Sequence, residues 1–321
     1  MTRVHVCGAS GYAGIEMIAL LHAHPHFELG ALESASHTGD PLGAHAVRLR
    51  GVERTFDAPG AALEWVRPGD AVVLAGGHGI AKAIAPEFLA RGAKVVDLSG
   101  DFRLHPTPAV YGFPERYRAQ IAEAQFVANP GCYPTATLLA TLPLAPFKPQ
   151  AIIVDAKSGV TGAGRTPRVD TLYAEVSGEI RVYGLNGHRH EPEIVQEWRA
   201  AGIDAALTFT PHVVPLERGM LVNAYAMLPA EPDAASVFAA YERAYSANAH
   251  VRLVRGGASP SPVAMRGTNG AEIHVSVHGN VVRSICAIDN LGRGAATAAL
   301  VNLNLMHGYP EELGVSDRAL V

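Results

Sequence analysis

Cysteine is scarce in this chain of 321 residues, which contains only Cys7, Cys132 and Cys286. Three cysteines cannot supply the disulfide framework that stabilises many small secreted domains. We therefore expect a reducing, cytoplasmic location, and we expect Cys7 and Cys286 to be small core residues of strands. Cys132 lies outside the predicted strands and requires another explanation.

Charge clusters and long apolar runs are also missing. The net charge is −4 and the basic residues are scattered, so we expect no nucleic-acid partner. Apolar runs such as residues 71–75 are far too short to span a bilayer, and the first three residues lead directly into a strand. We therefore expect neither a membrane partner nor a signal peptide. The length and the 48% hydrophobic content suit a globular protein of two domains.

Strand and helix signals alternate along the first 150 residues. Strands are expected at 3–7, 27–32, 71–74 and 94–98, with helices at 12–23 and 80–91. This alternation predicts an α/β fold with a doubly wound, Rossmann-type parallel sheet.

The pattern changes after about residue 151. Longer strands follow, and a turn at 278–280 joins alternating residues 273–277 to a strand at 281–288. This predicts a second, α+β domain with a mainly antiparallel sheet. We thus expect a dinucleotide-binding domain at 1–150 and a catalytic and oligomerisation domain at 151–291, with a closing helix within 292–321 that returns to the first domain.

Cys132 lies in the segment Asn129-Pro130-Gly131-Cys132-Tyr133-Pro134-Thr135. A short apolar strand precedes this segment, and a helix-like stretch from Thr135 to Leu144 follows it. The free N–H groups and the positive dipole at a helix N-terminus favour a thiolate, which is the reactive form of cysteine. A structural cysteine in a turn is the alternative, and position alone does not choose between them.

A glycine-rich turn, with glycines at 8, 11 and 14, follows the first strand and opens the first helix. Such a turn lets backbone N–H groups approach a pyrophosphate, so the segment predicts nucleotide binding. A purely structural turn is the alternative. At the end of the second strand, Ser34 and Ser36 could bond a 2′-phosphate, whereas Glu33 would suit the free ribose of NAD. No arginine stands beside them, and the segment leaves the choice open.

Two histidines and two glutamates are concentrated in His188-Arg189-His190-Glu191-Pro192-Glu193, just before a predicted helix. One histidine could be a general acid/base whose ring Glu193 orients. The two histidines could instead bind a metal, or the segment could be a solvated helix start. Since no further metal-ligand pair stands out, we favour acid/base chemistry and expect no metal.

Two other segments contain polar groups that suit a ligand site. Ser158 and Gly159 begin a second glycine-rich loop that could lie against the reacting centre or could be a flexible crossing loop. Arg103 follows the carboxyl end of a strand, where it could clamp a phosphate or pair with Asp101.

These residues combine into one chemistry. A thiolate attacks an activated acyl group, a nicotinamide exchanges hydride with the thioester, and an acid/base handles the proton. Without a nucleotide, the same residues would describe a cysteine hydrolase.

Seven segments also carry a family resemblance: residues 8–14, 96–104, 111–115, 129–135, 158–165, 188–194 and 211–219. Together they resemble the semialdehyde dehydrogenase group, in particular its arginine-biosynthesis branch, which acts on N-acetyl-γ-glutamyl phosphate. The most specific segments are the cysteine turn and the histidine–glutamate segment. The resemblance runs from the N-terminus to at least Asn290.

The resemblance implies that NADPH reduces a small acyl phosphate to an aldehyde with release of phosphate. It makes Cys132 the nucleophile and His190 the acid/base held by Glu193. It implies a homo-tetramer. The cofactor-binding candidates are Gly8, Ser10, Gly11, Tyr12, Gly14, Ser34, Ser36, Ser158, Gly159 and Asn290, and the substrate-binding candidates are Arg103, Asn129, His188 and Arg189.

One departure and three alternatives remain. Thr297 and Ala298 stand near the start of the closing helix, where the family pattern has a glycine and a glutamine. A sister reductase of lysine synthesis, whose substrate is held by a small acidic carrier protein, would need a basic docking surface, and the sequence has no basic cluster. The others are a nucleotide-sensing regulator and a zinc protein that uses His188 and His190.

Overall fold

The computed structural model describes residues 1–316 and residue 319, and the chain divides into two compact units. The first comprises Met1–Gly131 and Ala295–Val315, and the second comprises Cys132–Gly294 with Ser316. The predicted boundary at residue 150 therefore differs from the observed division. Positions 317, 318, 320 and 321, at the end of the segment expected to return to the first domain, lie outside the described residues. Within the described part of the chain, no helix has the length and apolar character needed to cross a membrane.

The first unit is built on a six-stranded parallel sheet with the order β2-β1-β3-β4-β6-β5. The predicted Rossmann-type sheet is therefore confirmed. Its strands are β1 (Thr2–Cys7), β2 (Phe27–Glu33), β3 (Ala71–Leu74), β4 (Lys94–Asp97), β5 (Val110–Tyr111) and β6 (Phe126–Ala128). Its helices are α1 (Tyr12–His22), α2 (Leu42–His45), α3 (Ala61–Trp65), α4 (Ile80–Ala90), α5 (Pro114–Glu123) and α10 (Thr297–Met306).

The strands of this sheet are apolar on both faces because helices cover both sides. Val72 and Val73, neighbours on β3, point to opposite faces and belong to separate hydrophobic clusters. Helix α10 is almost entirely buried and packs against α1, α5 and β4. Its Asn302 side chain donates hydrogen bonds to Gly112 O at 3.1 Å and to Asn129 Oδ1 at 3.0 Å. The last helix of the chain is therefore part of the core of the first unit.

The second unit contains a seven-stranded sheet with the order β11-β12-β13-β10-β7-β9-β8. Four neighbouring pairs are antiparallel, and β7–β9 and β11–β12 are parallel, so the predicted mainly antiparallel sheet is confirmed. The strands are β7 (Ala151–Ser158), β8 (Arg181–Val182), β9 (Ala206–Val213), β10 (Met220–Met227), β11 (Val251–Leu253), β12 (Ala271–His278) and β13 (Val281–Ile288). The helices are α6 (Cys132–Thr141), α7 (Tyr173–Val176), α8 (Glu191–Ala200) and α9 (Ala234–Tyr245).

Helix α6 is the central helix of the second unit. It packs against β10, β13 and α8, and every residue after Cys132 is buried. Trp198 of α8 donates its indole N–H to Thr141 Oγ1 at 2.8 Å, and Tyr241 of α9 donates to Ala140 O at 2.5 Å. Because these contacts hold α6 within the second unit, that unit begins at Cys132 rather than after residue 150.

Candidate active site

Cys132 is the first residue of α6, so the helix begins three residues before its predicted start and includes the thiol in its first turn. The Cys132 side chain forms no disulfide and is half-buried. Gly294 packs directly against the β-carbon of this cysteine, because a Cβ placed on Gly294 would lie 2.7 Å from Cys132 Cβ. Gly294 belongs to a π-helical turn at Gly292–Ala296, a rare geometry often found at functional sites. The thiol thus lies at a helix N-terminus with backbone closely packed against it.

Two tyrosines form a hydrogen-bonded pair beside the cysteine. Tyr183 shares a hydrogen bond of 3.2 Å with the hydroxyl of Tyr133, which donates to His212 O at 3.1 Å. Burial raises the pKa of Tyr183 to about 12 and raises the pKa of Tyr133 further. Both hydroxyls are therefore neutral near pH 7. Nothing local in the sequence marked Tyr183, because it lies fifty residues along the chain from its partner.

His188 and His190 lie next to one another against the ring of Tyr133. Their ring centroids are 4.8 Å apart, and the Tyr133 centroid lies 5.7 Å from His188 and 6.0 Å from His190. His190 is buried at the start of α8, and its backbone N–H donates to His188 Nδ1 at 3.2 Å. Burial, with a contribution from Arg189, lowers the pKa of His188 to about 4. His188 is therefore neutral near pH 7, which agrees with Nδ1 acting as an acceptor.

The predicted partner of His190 lies in the first turn of α8. Glu193 is buried there, with 2% of its surface exposed. Glu191 instead accepts a hydrogen bond from the backbone N–H of His188 at 2.6 Å, which closes the turn before the helix. The orientation of the His190 ring by Glu193 stays a prediction.

A cavity of about 200 Å³ opens beside the cysteine within the second unit. It brings together six of the predicted site residues: Cys132, Ser158, Gly159, His188, Arg189 and His190. Residues 168–181 form a second charged wall of the cavity, which was not predicted from the sequence. This wall contains two ion pairs, Arg168–Asp170 at 2.6 Å and Arg181–Glu179 at 2.6 Å.

A buried polar cluster holds the loops around this cavity. The Asn290 side chain accepts from Gly219 N at 2.7 Å and donates to Thr161 Oγ1 at 3.0 Å. Asp289 pairs with Arg218 through contacts of 3.1 and 2.7 Å, and its backbone carbonyl accepts from Gly294 N at 2.9 Å. Both ends of the Asn290 amide therefore bond to protein, and its predicted contact with a cofactor stays a prediction.

The glycine turn of the first unit can be built only with glycine at two of its positions. A Cβ on Gly8 would lie 2.7 Å from the backbone of Gly76, and one on Gly14 would lie 2.5 Å from Gly8 O. Gly8 also has a φ of +85°, which favours glycine. Gly11 precedes α1 and Tyr12 is its first residue. This compact turn at a helix N-terminus suits a dinucleotide phosphate.

The other predicted cofactor residues differ in exposure. Ser34 is buried and its hydroxyl bonds that of Ser10 at 2.8 Å, whereas Ser36 is exposed. Glu33 Oε1 accepts from the backbone of Gly60 at 3.0 Å and of Ala62 at 2.7 Å, at the start of α3. A cavity of about 250 Å³ in this unit is lined by Gly8, Glu33, Ala35, Gly76, Gly77 and Ile80. The Ser10–Ser34 pair, the glycine turn and this cavity fit a bound dinucleotide.

Two predicted substrate residues of the first unit make contacts within it. The Arg103 guanidinium donates to Asn129 O at 2.8 Å and to Leu98 O at 2.7 Å. Asp101, its proposed partner, accepts from Gly79 N at 2.8 Å at the start of α4. Asn129 accepts from Asn302 at 3.0 Å. Both Arg103 and Asn129 therefore stabilise the fold, and their roles toward substrate stay predictions.

Comparison with known proteins places these features in a family. Residues 3–124 match the model of the semialdehyde dehydrogenase NAD-binding domain, and residues 132–290 match the semialdehyde dehydrogenase dimerisation domain. The chain is 40% identical to the N-acetyl-gamma-glutamyl-phosphate reductase of Geobacter sp. (strain M21), with 98% of each chain covered. It is 38% identical to the reductase of the same name from Bordetella avium (strain 197N), with 99% of this chain and 97% of that one covered.

Solved structures show the same fold at lower sequence identity. Aspartate semialdehyde dehydrogenase II from Vibrio cholerae, complexed with ASA, matches with a TM-score of 0.76 and 20% identity over 96% of this chain and 98% of that one. The Candida albicans aspartate semialdehyde dehydrogenase with NADP matches with a TM-score of 0.73 and 16% identity over 96% and 98%. These structures support the fold alone.

The chain belongs to the semialdehyde dehydrogenase family. The predicted class, a nicotinamide-dependent oxidoreductase, is confirmed by the two family models and by the relatives matched over their full length.

Gly294→Ala tests the packing around the thiol. Because the new methyl would press on Cys132 Cβ, we expect the chain to stay folded while alkylation of Cys132 by iodoacetamide and turnover both change. A displacement of about 1 Å can lower a rate by about 10²-fold. Gly43→Ala is the control, since its Cβ would lie 3.3 Å from its nearest neighbour, Arg50 Cα, in the other unit. An unchanged alkylation rate in Gly294→Ala would contradict the packing argument.

The pKa of His188 can be measured by NMR of histidine-labelled protein. Because burial lowers this pKa from 6.5 to about 4, we expect the ring to remain neutral from about pH 5.5 to about pH 8 and to take up its proton only as the pH falls further. The signal is assigned by its loss in His188→Gln. A titration midpoint near the ordinary histidine value would show that the ring is solvated.

Proposed function

We propose that this enzyme reduces N-acetyl-γ-glutamyl phosphate to N-acetylglutamate semialdehyde, with NADPH as reductant and release of phosphate. The observation that carries the proposal is the placement of Cys132 at the start of α6, beside His190 and His188 at one cavity. The relatives matched over their full length share the name of this activity.

In the first step, the Cys132 thiolate attacks the acyl carbon. A C–S bond forms, the C–O bond to phosphate breaks, and phosphate leaves with the bonding electrons. The N-terminus of α6 favours the negative charge of the attacking sulfur. The product is an acyl thioester on Cys132.

Reduction of the thioester requires a proton donor or acceptor next to the sulfur. When bound, the nicotinamide cofactor supplies the hydride that reduces the thioester carbonyl. His190 holds the proton for the oxygen of the resulting hemithioacetal and removes it as the C–S bond breaks. This collapse releases the aldehyde and returns the thiolate to Cys132. Neutral His188 supports the backbone of His190 through its Nδ1 acceptor.

The remaining predicted residues have binding roles in this scheme. The dinucleotide phosphates would bind to the turn that contains Gly8, Ser10, Gly11, Tyr12 and Gly14. Ser34 and Ser36 would form hydrogen bonds with the 2′-phosphate on the cofactor's ribose. Ser158, Gly159 and Asn290 remain cofactor candidates. Arg103 and Asn129 remain substrate candidates. The choice of NADPH over NADH rests on the family.

Arg189 is our candidate for the carboxylate of the substrate. It is exposed at the catalytic cavity, whereas Arg168 and Arg181 in the same wall already pair with Asp170 and Glu179. These carboxylates also bear on the sister reaction of lysine synthesis. Because they neutralise Arg168 and Arg181, the cavity wall has no excess of basic groups on which an acidic carrier protein could dock.

We also propose that the enzyme is a homo-tetramer that acts in arginine biosynthesis in the cytoplasm. The second unit matches a dimerisation domain. The stretch of chain that runs from the end of β7 to the start of β9 exposes several large apolar side chains, namely Val169, Leu172, Tyr173, Ile180 and Leu185. Three cysteines that form no disulfide suit a reducing compartment. Sedimentation equilibrium of the purified chain tests the assembly.

The activity is tested in the reverse direction with N-acetylglutamate semialdehyde, phosphate and NADP. We expect phosphate-dependent formation of NADPH, because phosphate must attack the thioester to complete this direction. Cys132→Ser should abolish it, and His190→Asn should lower it by roughly 10²–10⁴-fold, the usual effect of removing an acid/base. Nicotinamide absorbance is the measurement.

Cys286→Ala is the matched control, since Cys286 is a fully buried residue of β13. It should keep most of the activity. Activity that survives Cys132→Ser, or that needs no phosphate, would rule out the acyl-phosphate reaction. An effect of His190→Asn confined to KM would reassign His190 to substrate binding.

A further inference from the structure

Three potential metal ligands meet in the first unit, in and just after the loop that also carries Ser34 and Ser36. They are His37 and Asp40, in the loop after β2, and His45, the last residue of α2. His37 Nδ1 lies 3.3 Å and His45 Nε2 lies 3.0 Å from the same carboxylate oxygen, Asp40 Oδ2. The two rings are close, with centroids 4.0 Å apart.

The spacing of these donor atoms is close to that of a metal site. Zinc takes four ligands in a tetrahedron with bonds of about 2.0–2.1 Å, which places ligand atoms about 3.3–3.4 Å apart. Two of the three donor pairs already have this separation within about 0.4 Å. All three donor atoms lie within 4.8 Å of one another. Small side-chain movements would therefore bring the set into coordination geometry.

The backbone that carries these ligands is held in place. Gly39 N donates to Phe56 O at 2.8 Å, and Phe56 N donates to Asp40 O at 3.1 Å. Leu42 N, at the start of α2, donates to Arg54 O at 3.0 Å. The buried Phe56 ring lies edge-on to His45, with centroids 5.3 Å apart. The loop and α2 are thus tied to the same segment, residues 54–56, before any ion binds.

The types of ligand atom in this cluster indicate which metal ions it would bind. Two imidazoles and one carboxylate suit zinc and related divalent transition ions, whereas magnesium and calcium prefer oxygen ligands. The Asp40 side chain is 51% exposed and that of His37 35%, which leaves access for an ion and for a water as fourth ligand.

We propose that His37, Asp40 and His45 form a binding site for one divalent transition-metal ion, with zinc as its best-suited occupant. The ion would link the loop after β2 to helix α2 and so stabilise residues 37–45. This site shares no residue with the His188–His190 segment, and the proposal does not depend on the enzymatic activity.

Zinc titration by calorimetry tests the proposal, in a Cys132→Ser background that removes the reactive thiolate as a competing ligand. We expect one equivalent of zinc to bind. Asp40→Asn and His45→Gln should each weaken binding by at least the roughly 10–100-fold that loss of an outer-sphere partner costs at a metal site. Circular dichroism confirms that each variant is folded, and two independent variants guard against failure of one to fold.

His278→Gln is the matched control, because His278 is an exposed histidine in the second unit that bonds Ser276. It should bind zinc as the parent does. Zinc binding that persists in Asp40→Asn and His45→Gln but is lost in His188→Gln would place the ion at the catalytic cavity and overturn the proposal. Absence of binding at micromolar zinc would also overturn the proposal, because the cluster would then not be a metal site.

Discussion

The buried ion pair between Asp289 and Arg218 is the constraint on which the catalytic cavity depends. Asp289 has no exposed surface, and its carboxylate also accepts from Leu291 N at 3.0 Å and Gly267 N at 2.5 Å. Removing one partner of such a pair typically costs about 3–5 kcal/mol, because a buried charge is left uncompensated. The turn that follows is therefore fixed. It brings Gly294 against Cys132 and, through Asn290, holds the loop with Thr161.

Much of the fold could be predicted from the sequence because its signals are local. Short apolar strands that alternate with helices indicated the parallel sheet, and the alternation on β12 with the turn after it indicated the hairpin. The boundary between the two domains was harder to predict from the sequence. Helix α6 is buried almost all round, so its sequence has no polar face to show which sheet it packs against. The parallel pairing of β7 with β9 could not be predicted either, since it joins strands about fifty residues apart.

In the candidate site too, some residues could be predicted from the sequence and others could not. Cys132 and the His188–Glu193 segment were found because a helix start and a cluster of ionisable groups can be recognised within a few residues. Tyr183 and the Asp289–Arg218 pair were missed, because each acts through a partner far along the chain. Residue type alone also did not show that the polar groups of Asn290, Asn129 and Arg103 bond to the protein itself. A polar side chain near a strand end can stabilise a loop as readily as it binds a ligand.

We propose that the acyl group is carried on Cys132, and mass spectrometry tests this proposal directly. The chain is mixed with N-acetyl-γ-glutamyl phosphate without NADPH and quenched in acid, and released phosphate and intact mass are measured together. We expect one equivalent of phosphate per active chain and a mass increase equal to the acyl group, located at Cys132 after digestion. Release of phosphate only after NADPH is added, or an acyl group on another residue, would contradict it.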